Sequence, residues 1–296
     1  MDKTKPCLQK TKWGFYRFSP PPSEQELREY YSNKYYQQSC SLSYSMEYDE
    51  EELTWRRAIA ELIVMMAEKL RPDLGGCVLD VGCGEGFQLE AFYSRRLTVK
   101  GFDFSKAAIG KWHPHLLPYF QQGDIYDLLQ AQIEQGMQYD VIFLGNVIEH
   151  VADPEQLLCS LRSLLARSGL LIIVAPNDFS DFQQFILDNN FADSPWWIAY
   201  PDHLSYFNKD SMHAFVRDLG YSVLETLANF PMELNLLSSN SNYLRGGGET
   251  GPEAHRQRMS IDNYLYNKSP EALLSICQAL GNISLGRNLV YYCTHA

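Results

Sequence analysis

Apolar residues recur at helical spacing from Glu50 to about Leu70 (Leu53, Ile59, Leu62, Ile63, Met66, Leu70), and the pattern stops before Pro72. Beyond it the period changes repeatedly. Short apolar runs predict strands over 77–81 (CVLDV), 97–104 (LTVKGFDF), 118–124 (PYFQQGD), 139–146 (YDVIFLGN), 169–177 (GLLIIVAPN) and 221–230 (YSVLETLANF). Helical stretches separate them, from Gln88 to about Arg95, from Ser105 onward, from Asp153 to Ala166 and from Asn208 to Gly220. Asp153 supplies an N-cap, Pro154 a proline at the first helical position and Glu155 an acid in the first turn, while Asn208 caps the last of these helices. Strands alternating with helices predict an α/β, doubly wound, mostly parallel sheet with helices on both faces.

Two regions depart from this rhythm. Residues 1–50 form a tyrosine-rich arm, in which Pro20, Pro21 and Pro22 make a stiff break and Ser23 with Glu26 reads as the capping box of a short helix. Its tyrosines (Tyr30, Tyr31, Tyr35, Tyr36, Tyr44, Tyr48) read as a lid. Residues 231–286 contain a glycine-rich stretch and two helical patterns, and read as a cap inserted before the final apolar run, GRNLVYYCTHA. That run is expected to enter the sheet as its last strand. The organisation is therefore an arm (1–50), a core (51–230), a cap insertion (231–286) and a final core strand (287–296).

Composition removes several function classes. A formal net charge of −11 and a sequence pI near 5.1 are a poor match for nucleic-acid phosphates. No apolar run is long enough for a membrane helix, and the basic N-terminus lacks the apolar core of a secretory signal. Seven cysteines show no CxxC spacing, which argues against a zinc cluster, and an odd count without a signal points to a cytoplasmic, reducing compartment.

The chemistry concentrates at VLDVGCGEGF, residues 78–87. A backbone this bare at a strand end admits a ligand. A dinucleotide GxGxxG fingerprint would place glycine where Phe87 stands, so the pattern is D-x-G-x-G-x-G, with Asp80, Gly82, Gly84 and Gly86. An acid at the next strand end, Asp103, lies at the spacing a βαβ unit uses for a ribose. Asp80-Val81-Gly82-Cys83-Gly84-Glu85-Gly86 resembles the first motif of class I S-adenosylmethionine (SAM) dependent methyltransferases, and GNVIEHV resembles a stretch of the ubiquinone-biosynthesis O-methyltransferase group.

The resemblance spans about residues 51–230. It implies a Rossmann-like sheet of seven strands, the last antiparallel, with SAM as cofactor and S-adenosylhomocysteine (SAH) as product. It implies cofactor contacts from Asp80, Gly82, Cys83, Gly84 and Gly86 at the methionine end, and from Asp103 at the ribose. Phe104, Asp124 and Ile125 would meet the adenine, and Gly145 and Asn146 would line the methionine end. Arg56 or Arg57 would pair with the SAM carboxylate, Arg57 being the choice made here.

Methyl transfer needs positioning and a base, and histidine titrates in the right range. His203 is the first candidate, followed by His150 and His255. Some relatives bind a divalent metal through Glu-x-x-Glu-His. Asn146 stands at the first of those positions here, so no metal is assigned. His255, Arg256 and Arg258 suggest a grip on an anionic acceptor group, with a homodimer contact as the rival reading. Trp196 and Trp197 suggest stacking on a sugar-type ring. The expected reaction is methylation of a small-molecule or sugar-type acceptor at oxygen. Alternatives are nitrogen methylation, a nicotinamide oxidoreductase or a non-catalytic SAM-binding module.

Overall fold

The computed structural model describes residues 7–22, 26, 47–246 and 250–296. The Ser23-capped helix and the tyrosines at 30, 31, 35, 36 and 44 lie outside the described residues. The central sheet has seven strands: β3 (Cys77–Val81), β4 (Thr98–Asp103), β5 (Phe120–Gln122), β6 (Tyr139–Gly145), β7 (Leu165–Pro176), β9 (Tyr221–Ala228) and β10 (Asn288–His295), in the order β5-β4-β3-β6-β7-β10-β9. The pairs from β5 to β7 are parallel, and β10 runs antiparallel to both β7 and β9. The expected Rossmann-like class and the inserted final strand are both present.

Helices α1 (Glu50–Leu70), α2 (Phe87–Tyr93), α3 (Ala107–Trp112), α4 (Ile125–Glu134), α5 (Pro154–Leu164), α6 (Asp181–Asp188) and α7 (Lys209–Asp218) accompany the sheet. Two cores form. Leu79, Val81, Ile142, Leu144, Leu171 and Ile173 point to one face of the sheet, while Val78, Val141, Phe143, Leu170 and Ile172 point to the other. This alternation buries both faces, as a parallel sheet requires. The caps read from sequence hold: Asp153 accepts from the Gln156 amide at 2.9 Å, and Asn208 accepts from Ser211 at 3.0 Å.

Several boundaries differ. The helix expected to run to Ala166 ends at Leu164, because β7 begins at Leu165 and takes Leu165 into its pairing with Tyr139. The strand expected over 118–124 is confined to Phe120–Gln122, since Pro114–Tyr119 winds into a 3-10 helix. Two helices went unread. Asp124 caps α4 by accepting from Tyr126 at 2.8 Å, and Ser180 with Gln183 forms a capping box on α6. The S-x-x-Q spacing at 180–183 carried that signal in the sequence.

The arm also does more than its lid reading implies. Strands β1 (Cys7–Lys10) and β2 (Tyr16–Ser19) form a hairpin, and β2 pairs with β8 (Ser205–Tyr206) to make a second sheet. The Phe18 amide donates to the Leu204 carbonyl at 3.3 Å. The described arm thus braces the chain beside His203.

Within the cap, helices α8 (Thr250–Lys268) and α9 (Pro270–Asn282) match the two helical patterns. Helix α8 lies against α1: Trp55 donates to Asp262 at 2.9 Å. Helix α9 lies on β9 so closely that a Cβ at Gly281 would stand 2.1 Å from the Thr226 carbonyl oxygen. Among the described residues, no helix is long and apolar enough to cross a membrane.

Candidate active site

The carboxyl ends of β3, β4, β6 and β7 converge on one rim. At the end of β3 the chain turns through Gly82, Gly84 and Gly86, with φ of +77°, +50° and +85°. The turn is pinned to the neighbouring strand, since the amides of Gly82 and Cys83 both donate to Phe102 O, at 2.8 and 2.9 Å. A Cβ on Gly82 would stand 2.4 Å from Val147 Cγ2, so that position combines a left-handed backbone with no room for a side chain.

Asp80 lies beneath this turn, 1% exposed, with neither carboxylate oxygen hydrogen-bonded. Burial, and then the charge of Asp103, push its carboxyl well above the usual range. An orphaned buried carboxylate wants a cation or a donor, and the SAM ammonium is one. Asp103, at the end of β4, accepts from the Gly84 amide at 2.9 Å and from the Ser105 amide at 3.0 Å. Burial raises its carboxyl while these amide bonds oppose the shift. Phe104 beside it is 62% exposed, a ring offered to solvent where an adenine could cover it.

The remaining expected cofactor residues fall around this rim with differing engagement. Asp124 is committed to its helix cap, and Ile125 is buried as the first residue of α4. Gly145 ends β6, and a Cβ there would meet the Phe143 ring at 2.5 Å. Asn146 takes a left-handed φ of +53°, and its side-chain oxygen accepts from Asn288 at 3.1 Å. Cys83 is buried, and burial holds its thiol far above the usual range, so it packs and does not react.

Arg57 is exposed, whereas its neighbour Arg56 turns toward the glycine loop. Arg56 pairs with Glu85 at 3.1 Å and Glu52 at 2.9 Å, and its guanidinium stacks 4.0 Å from the Tyr48 ring. Tyr48 in turn donates to Glu85. Neither Glu85 nor Glu52 was singled out from sequence, because their role appears only once α1 meets the loop.

After β6, Glu149 and His150 meet the loop carrying His203. The Glu149 carbonyl accepts from the amides of Leu204 and Ser205, at 2.7 and 3.1 Å. His150 Nδ1 lies 2.7 Å from the Asp202 carbonyl, and the rings of His150 and His203 meet edge-to-face at 4.8 Å. Glu149, His150 and His203 each offer one ligand atom within 4.8 Å of the others. Sequence reading did not group them, since His203 stands far from Glu149 and His150 along the chain and only the fold brings it to them. The same three donors have the chemistry to serve a proton or to hold a divalent cation.

Glu149 is 1% exposed, and burial first, against the opposing pull of His150, raises its carboxyl to about 7. The ordinary value is 4.5. A raised folded value means that its stabilising contribution is full below about pH 4.5 and is lost as pH rises through about 7. Replacing it by glutamine keeps the shape and removes the titration. Glu149→Gln is expected to gain up to about 3 kcal/mol over the parent above pH 7 and nothing at pH 4.5. Thermal melts of both proteins across that range check this, and parallel pH profiles would refute it.

His255 lies apart from this pair. It sits on α8 between Arg258, 2.7 Å away, and Glu52, 3.7 Å away. Burial, then Arg258, pulls its pKa down. Arg256 is exposed on the same helix, while Arg258 turns inward onto the Trp55 ring at 4.5 Å. The two arginines therefore do not share a site. Trp197 is 3% exposed and packs on Phe179, and Trp196 is half-buried beside it.

The sequence pattern described as "Methyltransferase domain" matches residues 50–226, well over half of the chain. The chain belongs to the methyltransferase domain family. In motif and fold it is of the class I SAM-dependent type. The methyltransferase is 33% identical over 116 residues to the ubiquinone biosynthesis O-methyltransferase of Glaesserella parasuis serovar 5, covering 37% of this chain and 49% of that one. It is 35% identical over 104 residues to the protein of the same name from Acinetobacter baumannii strain ACICU, covering 32% and 41%. The methyltransferase thus spans about half the length of the curated relatives it matches. Among solved structures, the (4+2)-cyclase SpnF aligns over 93% of this chain and 98% of its own at TM-score 0.50 and 15% identity, a likeness of fold alone.

Proposed function

We propose that the whole protein is an enzyme that transfers the methyl group of SAM to an oxygen of a small-molecule, sugar-type acceptor, with His203 as the base. The observation that carries this reading is the meeting of His150 and His203 at the rim where Asp80 and the glycine turn lie. SAM supplies an already activated methyl group, so the protein's own residues have only to bind, align and deprotonate.

Asp80, Asp103 and the bare turn suit the donor's ammonium, ribose and methionine backbone. The His150 Nδ1–H donates to the Asp202 carbonyl, which fixes that ring and braces the loop of its neighbour. The His203 amide donates to the Ala199 carbonyl at 2.8 Å, and the Tyr206 hydroxyl donates to the His203 carbonyl at 3.0 Å. A residue held on both sides can present its ring to an acceptor hydroxyl without first being ordered. The likeness to ubiquinone biosynthesis O-methyltransferases supports oxygen over nitrogen as the methylated atom.

The decisive experiment incubates the purified protein with SAM carrying a carbon-13 methyl group and a pool of host metabolites. Mass spectrometry is expected to find one labelled small molecule, whose methyl carbon resonance identifies an O-methyl group. An N-methyl resonance would move the reading to nitrogen. SAM retained without any labelled product would leave a binding module in place of an enzyme.

A further inference from the structure

A second set of buried polar groups lies at the same rim, beyond the SAM residues. Asp178 follows β7 and is fully buried; one of its oxygens accepts from Arg287 at 2.9 Å, and the Gln183 side-chain amide lies beside the carboxylate without a well-aligned hydrogen bond to the other. Glu233 enters from the turn after β9, 3% exposed, with neither carboxylate oxygen hydrogen-bonded. Its nearest cation is the same Arg287, at 3.8 Å. Arg287 therefore faces both buried carboxylates, and the Arg258 guanidinium also lies close enough to interact with Glu233. Tyr243 stands beside Glu233 and Arg287, and Trp196 beside Tyr243.

The position of this set ties it to the chemistry. The Asn177 amide donates to the Arg287 carbonyl at 2.9 Å, and Asn288 donates to Asn146 at 3.1 Å. Asp178 is also close enough to Glu149 for its charge to raise that carboxyl. The orphaned carboxylates thus border the histidine pair on one side and the methionine end on the other.

A buried carboxylate without a hydrogen bond carries its full desolvation cost. Asp80 shows the same condition, and the reading above gives it the SAM ammonium. Asp178 and Glu233 instead follow β7 and β9, two and four strands from β3 in the sheet order. We propose that Asp178 and Glu233 form an acceptor subsite that accepts hydrogen bonds from a donor-rich group, the hydroxyls or ammonium of a sugar-type ring, with Trp196 and Tyr243 alongside. This rests on the methyltransferase reading above and narrows its substrate class. A carboxylate accepts from two or more donors at once, which suits adjacent hydroxyls. The opposite class, an anionic group, would have to displace Arg287 from Asp178 or engage Arg258, whose Nε is buried without a hydrogen bond, against the repulsion of Glu233.

The test uses the full chain saturated with SAH. Saturation-transfer NMR compares three probes: methyl glucoside, methyl glucosaminide and glucose 1-phosphate. At least one of the first two is expected to bind, and the phosphate to bind more weakly. Glu233→Gln should weaken the bound glycoside about 10- to 100-fold, the scale of a lost charged hydrogen bond. The same substitution should leave SAH affinity unchanged and should not lower the melting temperature, because Arg287 keeps Asp178. A purely structural Glu233 would instead show a lower melting temperature with unchanged probe binding, which overturns the proposal. Preferential binding of the phosphate, abolished by Arg258→Ala, overturns it in favour of an anionic acceptor. SAH binding with no probe bound also overturns it. Failure of SAH itself to bind, read by calorimetry before any probe is added, would count against the methyltransferase reading instead.

Discussion

Replacing His203 by alanine is expected to lower kcat by roughly 10² to 10⁴, the range for loss of a positioned general base. The affinity for SAM should hardly change, because His203 lies on the loop before β8 and not on the glycine turn. The pair it forms with His150 gives the experiment an internal control. His150 has its Nδ1 engaged by the Asp202 carbonyl, so it braces the loop, and His150→Ala should cost less in kcat than His203→Ala. Single-turnover rates on the acceptor, once it is identified, measure both variants. A His203→Ala enzyme with near-normal turnover at neutral pH would transfer the base role to His150.

The second large effect concerns the cofactor. Asp103 holds the glycine turn through the Gly84 amide and the next segment through the Ser105 amide, and the proposed reading also gives it the ribose. Asp103→Ala removes all of these charged hydrogen bonds together. SAM binding should weaken by at least about 1.5 to 3 kcal/mol, roughly 10- to 150-fold in Kd. Calorimetry with SAM, and with NADH as a comparison ligand, provides the measurement. An unchanged SAM affinity would remove Asp103 from the site, and tight NADH binding would contradict the whole cofactor assignment.

The sheet was legible because its strands are short apolar runs closed by glycine or acid, and because caps such as Asp153 and Asn208 mark where helices start. The rim was legible for the same reason: Asp80, the glycines and Asp103 sit at strand ends, at spacings set by one βαβ unit. What sequence could not show is contact between distant segments. Glu149 and His203 meet because the Leu204 and Ser205 amides donate to the Glu149 carbonyl, and β8, which follows, is two residues long, too short to leave a pattern. Glu233 and Asp178 read as ordinary loop acids until the cap and Arg287 enclose them. Arg256 and Arg258 looked equivalent by composition, but helix α8 turns one to solvent and one to Trp55.

The placement of β10 also sets the order in which this molecule can assemble. Among the described residues strand β9 pairs with β10 alone, and β10 follows the whole cap in the chain. Until β10 arrives, β9 is a lone strand with open ladder groups on both edges, and β7 presents a bare edge of its own. Closing the sheet therefore requires a loop of about 60 residues to be brought to order at once, an entropic toll that local helix formation cannot offset in advance. Helix α9 packs on this same strand, its Gly281 resting on β9. The cap and the β9–β10 edge should accordingly behave as one cooperative unit, exchanging their amide hydrogens together and later than neither half alone, while the β3–β6 half, with its parallel neighbours already beside it, forms first.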